Sequence, residues 1–217
     1  IVDIRNNWST ITQAYNWALE EIMPKLNKQL VFSIGLRDDW RNGGWRIYDY
    51  AVASRSFAFW VDDETTTGKN IIKKILNTPG YPKNAVVMGY GMHGDDLNLT
   101  TNPEGFGFVV SDLFPNASYY SSFPSETFEE RQPEGVAVDA ETNKVYVALP
   151  WSDGDNIQFN HNGTLDIWKQ SERGKVPVSM TLSPALTEIA PFILQYYYEN
   201  RTDNDEFIGG PSGVQYI

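Results

Sequence analysis

The sequence predicts an α/β fold in which a parallel sheet is flanked by helices, arranged as a (β/α) barrel-like domain. Short apolar runs alternate with segments of helical periodicity along the 217 residues. Most of these runs are continuously apolar, which is typical of strands buried on both faces of a parallel sheet. No low-complexity linker interrupts the sequence, and its length suits a single glycosidase-sized domain over residues 1–217.

Seven apolar runs are predicted as strands because they are short, contain β-branched or aromatic residues and end at turn formers. Parallel strands with intervening helices place all their carboxyl ends on one face of the sheet. The predicted strands lie near residues 31–36, 57–61, 85–90, 106–110, 145–151, 176–182 and 206–209.

Helices are predicted where apolar residues recur at spacings of three and four. The first helix begins after a cap at Ser9 or Thr10, and a compact later helix ends before Pro79 and Gly80. Near the C-terminus, one long helix is predicted with Pro184 at its start. The helical segments read "STITQAYNWALEEIMPKL", "IYDYAVASRS", "GKNIIKKILN", "TLDIWKQS" and "PALTEIAPFILQYYYEN".

Composition excludes several classes of function. A net charge of -11 argues against nucleic-acid binding, which needs a basic face. No apolar run approaches the roughly 20 residues that a membrane span requires. The chain has no cysteine, and its two histidines, His93 and His161, do not form a ligand-spaced pair. We therefore expect no cofactor and no metal site.

Five N-x-S/T sequons occur in the chain, which is a modest excess over chance. They predict a glycoprotein that is secreted or resides in a lysosomal or vesicular compartment. Coincidence in an Asn-rich chain is the alternative. The candidate glycosylation sites are Asn7, Asn98, Asn116, Asn162 and Asn200.

Five of the seven predicted strands run into carboxylates shortly after they end. Residues that follow parallel strands converge at the carboxyl edge of the sheet, where active sites are built. The alternative is that an Asp forms a turn or caps the next helix, and we favour it for Asp38, Asp39, Asp63 and Asp96. The strand-end acids are Asp38 and Asp39, Asp62 and Asp63, Asp95 and Asp96, Asp112, and Asp153 with Asp155.

Asp153 and Asp155 are the strongest catalytic candidates, because they directly follow a long apolar strand. Two carboxylates suit cleavage of a glycosidic bond, one as the acid and the other as the base or nucleophile. Gly154 is expected to break the strand, so that one of the two faces the pocket. Asp153 is our choice, with Glu188 or Asp112 as the second carboxylate.

Four further residues are predicted to bind the sugar. Asn156 would hydrogen-bond a sugar hydroxyl. Trp151, Trp60 and Trp45 lie near strand ends and would offer flat apolar platforms to sugar rings. Core packing is the alternative for each Trp.

Three sequence blocks cover most of residues 144–217: "KVYVALPWSDGDNIQ", "RGKVPVSMTLSPALTEIAPFILQYYY" and "NDEFIGGPSGVQYI". Together they resemble the C-terminal domain of the GxGYxYP putative glycoside hydrolase family. Weaker similarity around "YDYAVASRSFAFWVD" and "FVVSDLFPNASYYSS" extends the resemblance over most of the chain. The resemblance implies a glycosidase-like α/β architecture and carbohydrate chemistry.

Two departures from the family motif matter. Gln215 stands where the motif has its second glycine, and the expected Tyr-Pro after Ile217 is absent. We therefore expect an excised or processed part of a longer protein, with a barrel incomplete at its C-terminus and the remaining segment as a partner. Two functions stay open: a glycoside hydrolase acting on complex carbohydrate, and a non-catalytic carbohydrate-binding or structural glycoprotein that retains the fold.

Overall fold

The computed structural model describes residues 6–35, 46–124, 139–153 and 156–210. They divide into two compact units, the first reaching Asn116 and the second beginning at Ala117. Each unit is built on a parallel sheet flanked by helices, which confirms the predicted mixed α/β class. The described strands form two sheets and no closed barrel, so the barrel and the single domain over residues 1–217 stay predictions.

The sheet of the first unit has four strands in the order β2-β1-β3-β4. All three strand pairs are parallel, so the four carboxyl ends lie at one edge. β1 lies between β2 and β3, and the segments that follow β2 and β3 therefore meet above its end. The strands are Asn27–Ser33 (β1), Ser56–Phe59 (β2), Val86–Gly89 (β3) and Gly107–Val110 (β4).

Four α-helices accompany this sheet in the part of the first unit that the structure describes. Thr10 caps the first through a capping box with Gln13, which confirms the predicted cap. Thr65 caps the third, where its hydroxyl accepts the Gly68 N–H. The helices are Ile11–Glu21 (α1), Tyr48–Ala53 (α2), Thr66–Leu76 (α3) and Asn98–Thr101 (α4).

The core of the first unit joins α3 to the sheet. Ile71, Ile72 and Ile75 form the buried face of α3 and pack in one cluster with Val31 of β1 and Val87 of β3. Burial of each such side chain stabilises the fold by roughly 1.5–3 kcal/mol. This packing fixes the start of α3 and the loop before it at the carboxyl edge of the sheet.

Gly89 ends β3 in a conformation that side chains rarely adopt, with φ of 122°. A Cβ atom there would lie 1.9 Å from the carbonyl oxygen of Ser33 at the end of β1. The absence of a side chain lets the next residue, Tyr90, donate its N–H to that oxygen at 3.0 Å. The loop after β3 is thereby held over the end of β1.

The sheet of the second unit has three parallel strands in the order β5-β6-β7. All seven predicted strands are therefore found, but β5 is shorter than the predicted run 145–151. Residues 145–149 are exposed, and among the described strands β5 pairs with β6 alone. Leu149 still accepts the N–H of Ser179 in β6 at 3.1 Å. The strands are Pro150–Trp151 (β5), Val178–Thr181 (β6) and Asp205–Ile208 (β7).

The described residues of the second unit form five short helices, and one prediction about them is wrong. The long helix predicted from Pro184 is split, because Ala190 leaves helical geometry with φ of -154° and ψ of 64° ahead of Pro191. The proline has no N–H to continue the helical ladder. The helices are Ala117–Tyr120 (α5), Ile157–His161 (α6), Gly163–Trp168 (α7), Leu186–Ile189 (α8) and Pro191–Glu199 (α9).

An aromatic cluster holds β7 against α7 and α9. The Trp168 ring stacks on Phe207 at 5.6 Å between centroids and meets Tyr197 edge-on at 5.1 Å. Arg173 lies 4.0 Å over the same indole and pairs with the buried carboxylate of Asp205. The cation is thus held by both a π face and a carboxylate, which secures the amino end of β7.

The described helices include none that is long and apolar enough to cross a bilayer.

Candidate functional site

Asp153 lies just beyond β5, at the carboxyl edge of the second sheet. It is exposed, and its φ of 80° places it in the left-handed region, which Asp and Asn enter more readily than most residues other than glycine. Asn156 donates its side-chain Nδ2 to Asp153 Oδ1 at 2.6 Å and its backbone N–H to the Asp153 carbonyl at 3.1 Å. Such a strained, hydrogen-bonded carboxylate at a strand end is typical of a functional position. Asp155 lies outside the described residues.

A network of buried polar groups connects the ends of β5 and β6 with α6. Asn160 of α6 accepts the Ser183 N–H at 2.9 Å through Oδ1, and Tyr197 donates its hydroxyl to the Asn160 carbonyl at 2.5 Å. Thr181 donates its hydroxyl to the Trp151 carbonyl at 3.0 Å. These bonds tie the carboxyl ends of β5 and β6 to α6, so the support for Asp153 is preorganised.

Glu188 is the second carboxylate that the sequence places at this edge. It lies exposed on α8, the helix that follows β6, and β6 is the direct parallel neighbour of β5. Two side chains that follow adjacent parallel strands share one edge of the sheet. Asp153 and the helix that carries Glu188 thus follow two adjacent parallel strands of the second unit.

Asp112 has a different environment from the one that the sequence suggested. It belongs to the first unit and forms a buried ion pair with Arg46, in which both side chains are only 7% exposed. A buried carboxylate that is engaged by a guanidinium is not accessible to a substrate. The contact favours a structural role for Asp112.

The three predicted Trp platforms differ in their surroundings. The side chain of Trp151, on β5 two residues before Asp153, is exposed to 44% and is free to stack against a ligand. Trp60 is half-buried in the first unit, and a Cβ atom at Gly35 would lie 2.5 Å from its ring. The Trp60 ring thus packs against the backbone at Gly35. Trp45 lies outside the described residues.

A mostly apolar cavity of about 370 Å³ opens between α6 and α9 in the second unit. Its aromatic lining would suit the apolar face of a sugar ring, and polar groups of α6 reach into it. The lining residues are Asn160, His161, Leu165, Lys169, Phe192, Ile193, Tyr196 and Tyr197.

Burial lowers the pKa of His161 below its usual value of 6.5. The imidazole of the unfolded chain therefore binds a proton more readily than that of the folded chain. The contribution of His161 to the free energy of unfolding is full above about pH 6.5 and is lost as the pH falls toward the lowered pKa.

We expect the melting temperature of the wild type to fall between about pH 7 and pH 5, and that of His161→Gln to fall less. Lys169→Gln is the control, because it changes the same cavity without removing a group that titrates in this range. If Lys169→Gln reduced the pH-dependent fall in melting temperature as much as His161→Gln, the assignment of that fall to His161 would be contradicted.

Asp62, Asp63 and His93 lie close together at the carboxyl edge of the first sheet, which their spacing in the sequence did not reveal. Asp62 Oδ1 accepts the N–H groups of Glu64 and Thr65, at 3.1 and 3.3 Å, and lies 3.0 Å from His93 Nε2. Desolvation raises the pKa of Asp62, but these donors and the His93 ring outweigh it, so the net pKa is lowered. Asp63 lies in the turn before α3, in keeping with the favoured alternative, while Thr65 caps the helix and the Asp63 residue is only 5% exposed.

The sequon residues are accessible to different degrees. Asn98 is half-buried, and the other four are exposed. Their geometry permits glycosylation, which stays a prediction. The four exposed residues are Asn7, Asn116, Asn162 and Asn200.

Comparison with known proteins agrees with this architecture. Residues 29–122 match the model described as "GxGYxYP third domain", and residues 143–217 match "GxGYxYP putative glycoside hydrolase C-terminal domain". A similar solved structure is the crystal structure of a putative hydrolase from Bacteroides thetaiotaomicron VPI-5482, with a TM-score of 0.80 and 29% sequence identity over 94% of this chain. The chain spans 38% of the length of that hydrolase. No curated protein matches the chain. With both family models matching in order, the protein belongs to the GxGYxYP putative glycoside hydrolase family.

Proposed function

We propose that the protein is part of a glycoside hydrolase that cleaves the glycosidic bonds of complex carbohydrate with two carboxylates. The family and the hydrolase neighbour support this class of reaction. The observation that carries the proposal is Asp153, an exposed carboxylate held in a left-handed backbone conformation at the end of β5. It has the accessibility that catalysis requires and that the buried Asp112 lacks.

Asp153 is assigned the base or nucleophile role. The Asn156 amide orients its carboxylate through Oδ1, which leaves Oδ2 to approach the substrate. Glu188 is assigned the acid that protonates the leaving oxygen, because it follows the strand next to β5. Carboxyl groups roughly 5–5.5 Å apart in the complex would give retention, and a separation of about 6.5–9.5 Å would give inversion.

Two residues complete the proposed sugar site. Trp151 presents its exposed ring two residues before Asp153 and would stack on a sugar ring. Asn156 uses its Nδ2 group on Asp153, so its Oδ1 would accept the hydrogen bond from a sugar hydroxyl.

A non-catalytic carbohydrate-binding protein is the second candidate. The aromatic cavity of about 370 Å³ between α6 and α9 favours it, because such a lining binds sugar without any need for a catalytic carboxylate. Both candidates use the second unit, and they differ in turnover.

A screen of the full chain against chromogenic aryl glycosides, together with retention on a glycan array, separates the two. Turnover above a buffer blank supports the hydrolase. Retention on glycans without turnover supports the binding protein and contradicts the hydrolase. Neither turnover nor retention on any glycan would overturn both candidates.

The proposal extends to the setting of the protein. A longer chain that supplies the rest of a barrel-like domain is supported by the 38% coverage of the hydrolase neighbour. Secretion, or a lysosomal or vesicular location, with glycans on the sequons is supported by the exposure of four of the five Asn side chains. The intact mass of natively purified material, before and after enzymatic deglycosylation, tests both statements.

A further inference from the structure

Asp62, Asp63 and His93 bring three potential metal-ligating atoms within 4.8 Å of one another at the carboxyl edge of the first sheet. The two acids follow β2 and the histidine follows β3, and these strands flank β1. His93 Nε2 lies 3.0 Å from Asp62 Oδ1, and the His93 N–H donates to Asp63 Oδ1 at 3.3 Å. The order of the strands therefore assembles the group.

Asp63 carries a buried carboxylate oxygen without a hydrogen-bond partner in the described part of the chain. Its residue is 5% exposed, and its Oδ2 is buried and makes no hydrogen bond with any part of the chain that the structure describes. A buried carboxylate oxygen without a partner is costly, and native structures rarely leave one. A bound cation would satisfy this oxygen.

The free oxygen of Asp63 faces the loop that carries His93. A Cβ atom at Gly91, two residues before His93, would lie 2.4 Å from Asp63 Oδ2. Gly91 also exchanges backbone hydrogen bonds with Gly94, which closes the loop tightly around His93. The glycine leaves room beside the carboxylate that any side chain would fill.

We propose that Asp62, Asp63 and His93 form a binding site for a divalent cation of the Zn²⁺ class. One imidazole nitrogen and two carboxylates suit Zn²⁺ better than Mg²⁺ or Ca²⁺, which prefer oxygen ligands. Three protein ligands leave a coordination position open to water or to a ligand oxygen. Asp62 and His93 are partly exposed, so the cation has a path to the site.

Glu64 completes the surroundings of the proposed site. Its Oε2 lies 3.8 Å from His93 Nδ1, on the side of the ring away from Nε2. A carboxylate that accepts the Nδ1–H of a metal-binding imidazole orients the ring and favours the tautomer with a free Nε2, and Glu64 would have to move closer to do so. The site lies in the first unit and needs no residue of the proposed glycosidase site, so each proposal stands or fails separately.

Titration calorimetry with ZnCl₂ on the chelator-treated full chain tests the proposal. We expect one Zn²⁺ per chain and a rise in melting temperature on binding. His93→Ala and Asp63→Asn should each weaken binding by more than about 10-fold, since even partners outside the ligand shell cost roughly 10–100-fold. Asp96→Asn removes an exposed acid from the same loop and should bind Zn²⁺ like the wild type.

Three results would overturn the site: no Zn²⁺ binding by the wild-type chain, unchanged affinity in His93→Ala and Asp63→Asn, or an equal loss in Asp96→Asn. Tighter binding of MgCl₂ or CaCl₂ than of ZnCl₂ would overturn the assigned class of cation. Circular dichroism checks that each variant is folded. If Asp63→Asn is not folded, His93→Ala decides, because its side chain is 35% exposed and outside the core.

Discussion

Replacement of Asp153 by Asn is expected to lower glycoside turnover by roughly 10²- to 10⁴-fold, the usual contribution of a catalytic acid or base. The substitution removes the charge while keeping the shape of the side chain and an oxygen for the Asn156 amide. Asn also tolerates the φ of 80° at this position better than most residues. The measurement is kcat/KM on the best substrate from the glycoside screen, with the melting temperature as a check on folding.

Glu188→Gln should give a loss of the same order if Glu188 is the acid. Asp203→Asn provides the matched control, because Asp203 is another exposed acid of the second unit that follows no strand end. Wild-type turnover in Asp153→Asn, or an equal loss in Asp203→Asn, would contradict the assignment of Asp153.

Replacement of Asp112 by Ala is expected to destabilise the protein by about 3–5 kcal/mol. The change leaves the Arg46 guanidinium buried at 7% exposure without its carboxylate partner. An uncompensated buried charge costs far more than a lost surface ion pair. Urea unfolding monitored by circular dichroism measures the difference.

Two further variants serve as controls for the stability loss expected in Asp112→Ala. Removing both charges with Arg46→Met and Asp112→Leu should recover much of the loss, because no unpaired charge remains in the interior. Glu141→Gln breaks an exposed ion pair with Lys144 and should cost only about 0–1 kcal/mol. A cost for Asp112→Ala as small as that of Glu141→Gln would contradict a structural role for the pair.

The elements of secondary structure could be predicted well from the sequence. Apolar runs need to be buried, so all seven strands were found near their predicted positions. Local hydrogen bonding likewise fixed the cap at Thr10. Two elements were predicted less well: Pro191 splits the predicted long helix, and the strand predicted over 145–151 is reduced to Pro150–Trp151.

The candidate sites were predicted less completely, because they depend on contacts between distant segments. The sequence by itself determined that carboxylates follow most strands, and hence that they would gather at strand ends. Only the tertiary structure decided which of them meet. Placing β1 between β2 and β3 brings His93 to Asp62 and Asp63, whereas burial pairs Asp112 with Arg46. Strand order and burial are properties of the packed chain as a whole, and spacing along the sequence does not encode them.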